Sequence, residues 1–538
     1  MFPSSWRQQA LDALDTHFDL VILGGGINGC GIFFDAAQRG LRVLLVEKDD
    51  LAAGTSSRSS KLIHGGLRYL KQMQFKVTRD SCRERDRHLR LDPHLVDPLD
   101  FVYPAYRGDK TPGWQVEIGL FLYDQMTRTP DRHRRMSRAE LRDAAPGLHQ
   151  EELDRALVYR DARVDDARLT LAVAATGAAY GGFVLTRASA EGAIRGADGR
   201  IRGAVVRDLL DGSTHSVESH LVVNASGAWV DETRHRFGLD GQTIRPSRGA
   251  HILFARDRLK VEAALTVPSP DDGRPVFCVP HPEGVLVGTT DLFHDGPLDD
   301  PRATREEVDY LLRATARIAG DDAPTADDIE GVFAGLRPVL DQGADDPTAA
   351  SREESTLSEN GLLSVAGGKL TTWRLTAELA VDEALELLPA ERSKVAAPCA
   401  TAGTPLAGLA PRGLAGRLVR AHELDPAVAA GMARRLLANA WLACRHETEL
   451  DPLAPGLDLC AAEVRTHLRW GAVVHLSDLL LRRIRLGMWR PRVATELAPR
   501  LRHLVCAETG WDHDRWDREM ERFERDLGGW SPAGVEAA

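Results

Sequence analysis

Gly24, Gly26 and Gly29 stand in the spacing G-x-G-x-x-G, a pattern with a specific use in phosphate binding. The first glycine permits a tight turn, the second lets backbone approach a pyrophosphate, and the third lets a helix pack closely on a strand. Unpaired N–H groups at the start of that helix then face the phosphate anion. Glu47 stands 18 residues after Gly29, where its carboxylate can accept hydrogen bonds from a ribose. Together these four residues could hold a dinucleotide, and the acid at 47 disfavours one carrying a 2′-phosphate.

The elements that must position them are legible on either side. FDLVILG from Phe18 reads as a buried strand, IFFDAAQRG as a helix stopped at Gly40, and RVLLVE as a second buried strand. Residues 18 to 47 are therefore a βαβ unit of a parallel sheet. Two further segments bring glycine and small residues against a strand end or a helix start: HLVVNASG at 220–227 and GGKL at 367–370. Three backbone approaches suit a long cofactor lying through the domain, which favours FAD. Residues 52–66 (AAGTSSRSSKLIHGG) are too polar to bury a face and read as a long ordered loop. GGFVLTRAS and GRIRGAVVRD read as an antiparallel pair, and a basic helix-like stretch lies near Arg132 to Arg142. The composition breaks at APCATAGTPLAGLAPRG, and the chain from about 412 to 526 is almost entirely helix-patterned.

The chain has 538 residues, enough for at least two domains, and 43% hydrophobic with 27% charged residues is an ordinary globular composition. A net charge of −11 argues against nucleic acid as a partner. The seven cysteines are dispersed without a CxxC pair, so neither a disulfide framework nor a metal site is expected. No apolar h-region opens the sequence and no run of 18 apolar residues could span a bilayer. A cytoplasmic protein, at most peripheral to the cytoplasmic membrane, is the expectation. Only 8 of the 68 basic residues are lysines, so a lysine inside a tight motif carries more information than an arginine.

GGGINGCG, GTSSRSSKLIHGGLRYL, RVDDARL, NASG, GTTD, GLRP and GGKLTTWR occur in an order and spacing that resembles the FAD-dependent, quinone-linked glycerol-3-phosphate dehydrogenases. The resemblance covers about residues 18 to 395 plus a helical tail. It implies an α/β fold with a Rossmann-like FAD-binding domain, an interleaved mixed-sheet substrate domain of the glutathione-reductase or D-amino-acid-oxidase type, and an all-α C-terminal domain. The corresponding segments are 18–100, 165–230 and 330–395 for FAD, 101–164 and 231–329 for substrate, and 396–538 for the helices. The implied reaction is oxidation of sn-glycerol 3-phosphate to dihydroxyacetone phosphate, with hydride passing from C2 to flavin N5 and electrons to a membrane quinone. The alternative is an oxidase of the same fold, which uses oxygen and releases hydrogen peroxide. A homodimer is left open.

A phosphate dianion needs fixed cations. Arg68, Arg337, Lys369 and Arg374 match the family's substrate-binding positions, with Tyr69 as a further hydrogen-bond donor. Alcohol oxidation also needs a base for the hydroxyl proton, for which histidine is suited. By the resemblance His251 is favoured as that base and lies with the substrate over the flavin, while His64 contacts flavin or orients substrate. Thr55, Ser56, Ser57, Lys61, Leu62, His64, Ala225, Gly227, Gly335, Gly368, Lys369, Leu370 and Thr371 are expected to line FAD along with Gly24, Gly26, Gly29 and Glu47. Two residues depart from the pattern: Arg58 fills a slot that commonly holds a small residue, and Trp373 replaces a tyrosine and is expected to reshape the pocket wall.

Between Arg465 and Val505 nine arginines face two acids, and VVHLSDLLLRRIRLGMWR reads as an apolar, basic helix. Two readings stand for it: a helix resting on anionic headgroups, or one packed in a C-terminal cap with a solvated arginine face.

Overall fold

The computed structural model describes residues 2–71, 73–341, 355–446 and 449–536, with the side chains of Arg68, Lys71 and His446 excluded. Uninterrupted apolar runs form strands that are buried on both faces, and here they build a parallel sheet. Its order is Leu362–Ala366, Thr214–Asn224, Phe18–Leu23, Val43–Glu47 and Phe183–Thr186, with Ser355–Glu359 antiparallel at one edge. Leu23 is level with both Asn224 and Val46, so the central strands end together and open one crevice at their carboxyl ends. Helices Ile27–Gln38, Asp166–Ala179 and Trp373–Leu387 cover one face. A hairpin of Ala188–Arg195 with Ile201–Asp208 and the helix Trp6–Asp12 cover the other.

The second sheet has ten strands and is mixed. Val96–Tyr106 pairs antiparallel with Leu153–Val164 and parallel with Ala264–Pro268. Ser247–Phe254 pairs along its length with Ile329–Arg337, which sets Phe333 opposite His251 and Arg337 opposite Ser247. Leu62–Ile63 and Ile329–Arg337 thus join this sheet, although the sequence division places them with the FAD-binding segments. Their partners lie 75 to 101 residues away, and local patterning carries no record of such pairings. GGFVLTRAS also divides. Phe183–Thr186 runs parallel to Val43–Glu47, and only Ala188–Arg195 pairs with the second member of the expected hairpin. The break falls at Arg187, which has φ of 56° and sends its guanidinium to Asp49 and Asp478.

From Leu414 onward the described residues form helices, and their β pairing is limited to the isolated bridges Thr304 with Glu536 and Pro452 with Cys460. No helix among the described residues is long and apolar enough to cross a membrane. The VVHLSDLLLRRIRLGMWR segment is packed in the C-terminal region, as one reading has it, but without the solvated arginine face. It is a short π-helical stretch, Asp478–Arg483, then Leu486–Trp489, and its arginines 482, 483 and 485 are buried rather than solvated or lipid-facing. Each has a carboxylate partner: Asp50 for Arg482 and Arg483, Asp166 for Arg485.

Buried carboxylates of this kind make the fold acid-sensitive. Burial opposes the charge on Glu463, and partial burial that on Asp165, yet Arg485 and Arg168 beside Asp165, and Arg435 beside Glu463, hold each carboxyl down to about 2. Unfolded, the same groups titrate near ~4. A depressed folded pKa contributes stability that is complete above the unfolded value and is lost as pH falls through the folded one. The thermal midpoint is therefore expected to hold steady down to about pH 4.5 and to drop steeply between about 4 and 2. A scan of melting temperature against pH checks this, and a midpoint unchanged at pH 2 contradicts it.

Candidate functional site

One cavity of about 1590 Å³ opens at the carboxyl ends of the parallel strands, larger than the ~300–1,000 Å³ of a typical small-ligand pocket. Its inner wall begins at the glycine turn. Gly24 has φ of 111°, and a Cβ there would stand 2.6 Å from the Ala225 carbonyl oxygen. A Cβ on Gly29 would strike the Gly24 carbonyl at 1.9 Å, so neither position admits a side chain. Gly26 caps the helix Ile27–Gln38, whose first N–H donates to the Ser56 hydroxyl at 2.9 Å. The Glu47 carboxylate takes backbone N–H bonds from Gly25 at 2.5 Å and Asp49 at 2.7 Å, one on each oxygen, which leaves lone pairs for a ribose hydroxyl. These residues fit a dinucleotide: a backbone cradle that a Cβ would fill, a helix N-terminus, and an oriented acid.

Thr55, Ser56, Leu62, His64, Ala225, Gly227, Gly335, Gly368, Lys369, Leu370 and Thr371 all line the same cavity. Asn28 donates to the Gly367 carbonyl at 3.1 Å, tying the glycine turn to the GGKL turn. Ser57 and Lys61 lie behind the wall instead. Lys61 is buried and spends its ammonium on Asp166 and on the Ser57 carbonyl.

The two histidines differ in access. His251 also lines the cavity but is 1% exposed, stacked on Phe333 at 4.7 Å, with Nε2 hydrogen-bonded to the Ser60 hydroxyl at 2.9 Å. Burial, then Arg337 and Lys61, push its pKa well below the usual histidine value, so it is neutral near pH 7. His64 is half-buried on the cavity wall, edge-on to Phe277, its backbone N–H bonded to the Thr371 hydroxyl at 3.1 Å. The next residue, Gly65, donates its N–H to Asp161, which also receives Arg85 and Tyr123. That buried set fixes the loop carrying His64.

Among the expected cations, Arg337 and Lys369 reach the cavity. Arg337 donates to Asp291 at 3.0 Å and to Thr289 at 2.8 Å, and Lys369 Nζ sits 3.6 Å from the centre of the Tyr69 ring. Tyr69 itself lines the wall, and the Arg68 side chain lies outside the described residues. Arg374 does not reach the cavity. It is buried against Glu84 in a two-pronged pair at 2.8 and 2.9 Å, with Glu378 at 2.7 Å, so it ties one helix to another. Trp373 is likewise packed inward, its indole N–H on His88 Nε2 at 3.0 Å and its ring against Gly31, and it shapes no pocket wall. Both side chains sit on the helix face turned toward Ile27–Gln38 and Phe75–Leu91, a direction that the GGKLTTWR motif does not encode.

Sequence reasoning missed Ser60, Arg274 and Asp161, all cavity-lining. Arg274 donates to the Asp291 backbone carbonyl at 3.0 Å, close to the Arg337 group. Among 60 arginines nothing marked it, whereas Ser60 stood unremarked inside a quoted motif.

The family described as FAD dependent oxidoreductase matches residues 19–383, and that described as the C-terminal domain of alpha-glycerophosphate oxidase matches 399–516. The glycerol-3-phosphate dehydrogenase of Mycobacterium leprae is 35% identical over 528 residues, 94% of this chain and 87% of that one. The aerobic glycerol-3-phosphate dehydrogenase of Staphylococcus epidermidis is 35% identical over 398 residues, 73% of this chain and 72% of its own. Among solved structures, the glycerol-3-phosphate dehydrogenase from Bacillus halodurans complexed with FAD superposes with a TM-score of 0.78 at 27% identity, covering 98% of each chain.

Proposed function

The chain belongs to the FAD-dependent oxidoreductase family, among the glycerol-3-phosphate dehydrogenases, and from that premise we propose that it oxidises sn-glycerol 3-phosphate to dihydroxyacetone phosphate and delivers the electrons to a quinone at a membrane surface. The observation that carries the reading is one cavity whose wall joins the glycine turn to Arg337, Lys369 and His64. FAD, when bound, would supply the hydride acceptor for C2. Gly24, Gly26, Gly29 and Glu47 would hold its adenosine and pyrophosphate, and the 55–64 loop with the 367–371 turn would border the rest. Arg337 and Lys369, joined by Arg68, fix the phosphate dianion, and Tyr69 steadies it. His64 takes the hydroxyl proton. We assign this to His64 rather than His251 because a base must reach the proton directly or through one water. His251 borders the same cavity but is only 1% exposed, and its Nε2 is engaged by Ser60. It supports the wall and stays neutral beside Lys61 and Arg337.

Anaerobic stopped-flow reduction by sn-glycerol 3-phosphate, then reoxidation with a short-chain quinone or with oxygen, tests the reaction. Rapid bleaching with rapid quinone turnover is expected. Fast reoxidation by oxygen with stoichiometric peroxide places the protein among the oxidases, and no bleaching refutes the substrate.

An apolar rim supports a lipid-soluble acceptor. Trp114, Ile118 and Phe121 on the helix Gly113–Met126 are 53, 53 and 57% exposed, and Met73 is 71% exposed. Ile118, Met73, Leu122 and Phe75 also line the cavity, so the rim is its mouth. Burying such side chains in the acyl boundary is favourable by about 25 cal/mol per Å². Changing Ile118 and Phe121 together to Asp is expected to lower sedimentation with phosphatidylglycerol vesicles at least about tenfold. Bleaching by glycerol phosphate in solution should persist, and undiminished vesicle binding would remove this face from the reading.

A further inference from the structure

The eight residues 478–485 of the C-terminal helical region reach both loops that border the glycine turn. Arg482 Nε lies 2.5 Å from the Asp50 carboxylate, and Arg483 adds Nη1 and Nη2 at 2.7 and 2.8 Å. Asp50 closes the turn that starts at Glu47, whose carboxylate the Asp49 N–H already holds. Arg187 bridges Asp49 to Asp478, so the same turn is gripped from a second side. At the other loop Arg485 Nη2 donates to Asp166 Oδ1 at 2.9 Å and to the Ser57 carbonyl at 3.2 Å. Lys61 uses the same two acceptors, at 2.9 and 3.0 Å. The other oxygen of Asp166 takes the N–H and hydroxyl of Ser59 at 3.0 and 2.7 Å. Two stretches of chain, 57–61 and 478–485, thus converge on the one buried carboxylate of Asp166. Arg485 holds φ of 68° to make these contacts, a conformation that a non-glycine residue adopts at a cost. Arg58, between Ser57 and Ser59, lies over the Trp530 ring at 4.9 Å and so meets the C-terminal region as well.

We infer that the 478–485 segment is a positioning element for the cofactor site: Arg483 sets the ribose-side turn 47–50 and Arg485 sets the 57–61 loop. FAD affinity then depends on the docking of the helical region, through three arginines that do not line the cavity. The inference rests on the FAD reading of that cavity, and it is independent of the substrate and the acceptor.

Lys61 gives the element a pH signature. Burial lowers its pKa, Asp166 and Asp165 raise it, Arg485 lowers it again, and the outcome is about 8. His251 and His281 feel its charge, and both are held neutral chiefly by their own burial. Protonated Lys61 pins the loop through Ser57 and Asp166, and the neutral amine holds them less firmly. FAD affinity should accordingly fall as pH rises through about 8.

The test is titration of FAD into the full-length apoprotein, monitored by flavin fluorescence quenching from pH 6 to 10. Arg485→Met is expected to weaken FAD binding at least about tenfold and, by removing a repelling cation, to move the alkaline fall upward by about one unit. Arg485→Lys should restore the position of the fall. Asp166→Asn removes the attracting charge and should move the fall downward. Parental affinity with an unmoved fall in Arg485→Met overturns the inference. Should that variant fail to fold, Asp166→Asn decides alone, and a fall that stays put or rises in it overturns the inference equally. Because no glycerol phosphate is present, failure of the substrate reading leaves this test intact.

Discussion

Replacement of His64 by Asn is expected to leave FAD bound and to slow its bleaching by sn-glycerol 3-phosphate about 100-fold or more. Asparagine keeps the approximate size and one polar end of imidazole but cannot take up a proton near neutral pH. The loop around it is held independently, because the Gly65 N–H bond to Asp161 and the His64 N–H bond to Thr371 are made by backbone. Substrate affinity should therefore change little while the rate of the chemical step falls, the pattern of an interaction made in the transition state. His251→Asn is the informative partner. Its ring borders the cavity but is 1% exposed with Nε2 held by Ser60, and its loss should slow reduction far less. If His251→Asn were the slow variant and His64→Asn the fast one, the proton would leave by way of the Ser60 hydroxyl to His251, and the base would be reassigned.

Arg337→Ala is expected to keep its FAD and to lose about 2 to 5 kcal/mol of affinity for sn-glycerol 3-phosphate, the range for removing one partner of a desolvated charge pair. The guanidinium is oriented before any ligand arrives, since Asp291 and Thr289 hold it from behind. Orientation in advance means little entropy is lost on binding, which is why a single truncation should cost so much. Lysine at the same position supplies charge without the planar fork and should recover only part of the loss. Affinity can be read from the substrate dependence of anaerobic flavin bleaching. An Arg337→Ala protein with unchanged affinity would shift the phosphate to Lys369 and Arg274.

The glycine turn, the βαβ unit and the helical tail were legible because each is a local pattern: fixed spacing, period and composition over a few dozen residues. The second sheet was less so. Ile329–Arg337 reads as a strand anywhere, and only its pairing with Ser247–Phe254 says which sheet it joins. The same limit explains the site residues. Lys369 stood out because lysine is scarce and its turn is glycine-rich, and it does reach the cavity. Arg374, five residues on, has equal motif support yet points into a buried pair with Glu84, a partner 290 positions away. Motifs report that a residue matters; whether it matters to a ligand or to a neighbouring helix is decided by side-chain direction. Arg483 and Arg485 make the converse case, since charge spacing described a basic helix while their partners Asp50 and Asp166 lay hundreds of residues earlier.

The order in which the parallel sheet is assembled bears on how the protein comes off the ribosome. Phe18–Leu23 emerges early, but one neighbour is Thr214–Asn224, whose own other neighbour is Leu362–Ala366. Such distant pairings must wait for their last member, and contacts of this separation are slow to form. The glycine turn, though written within the first thirty residues, has no complete wall until the 367–371 turn has been synthesised. Throughout that interval the apolar faces of the early strands stand open. Exposed apolar surface and unpaired strand edges of this kind are the features that make a nascent chain prone to aggregation.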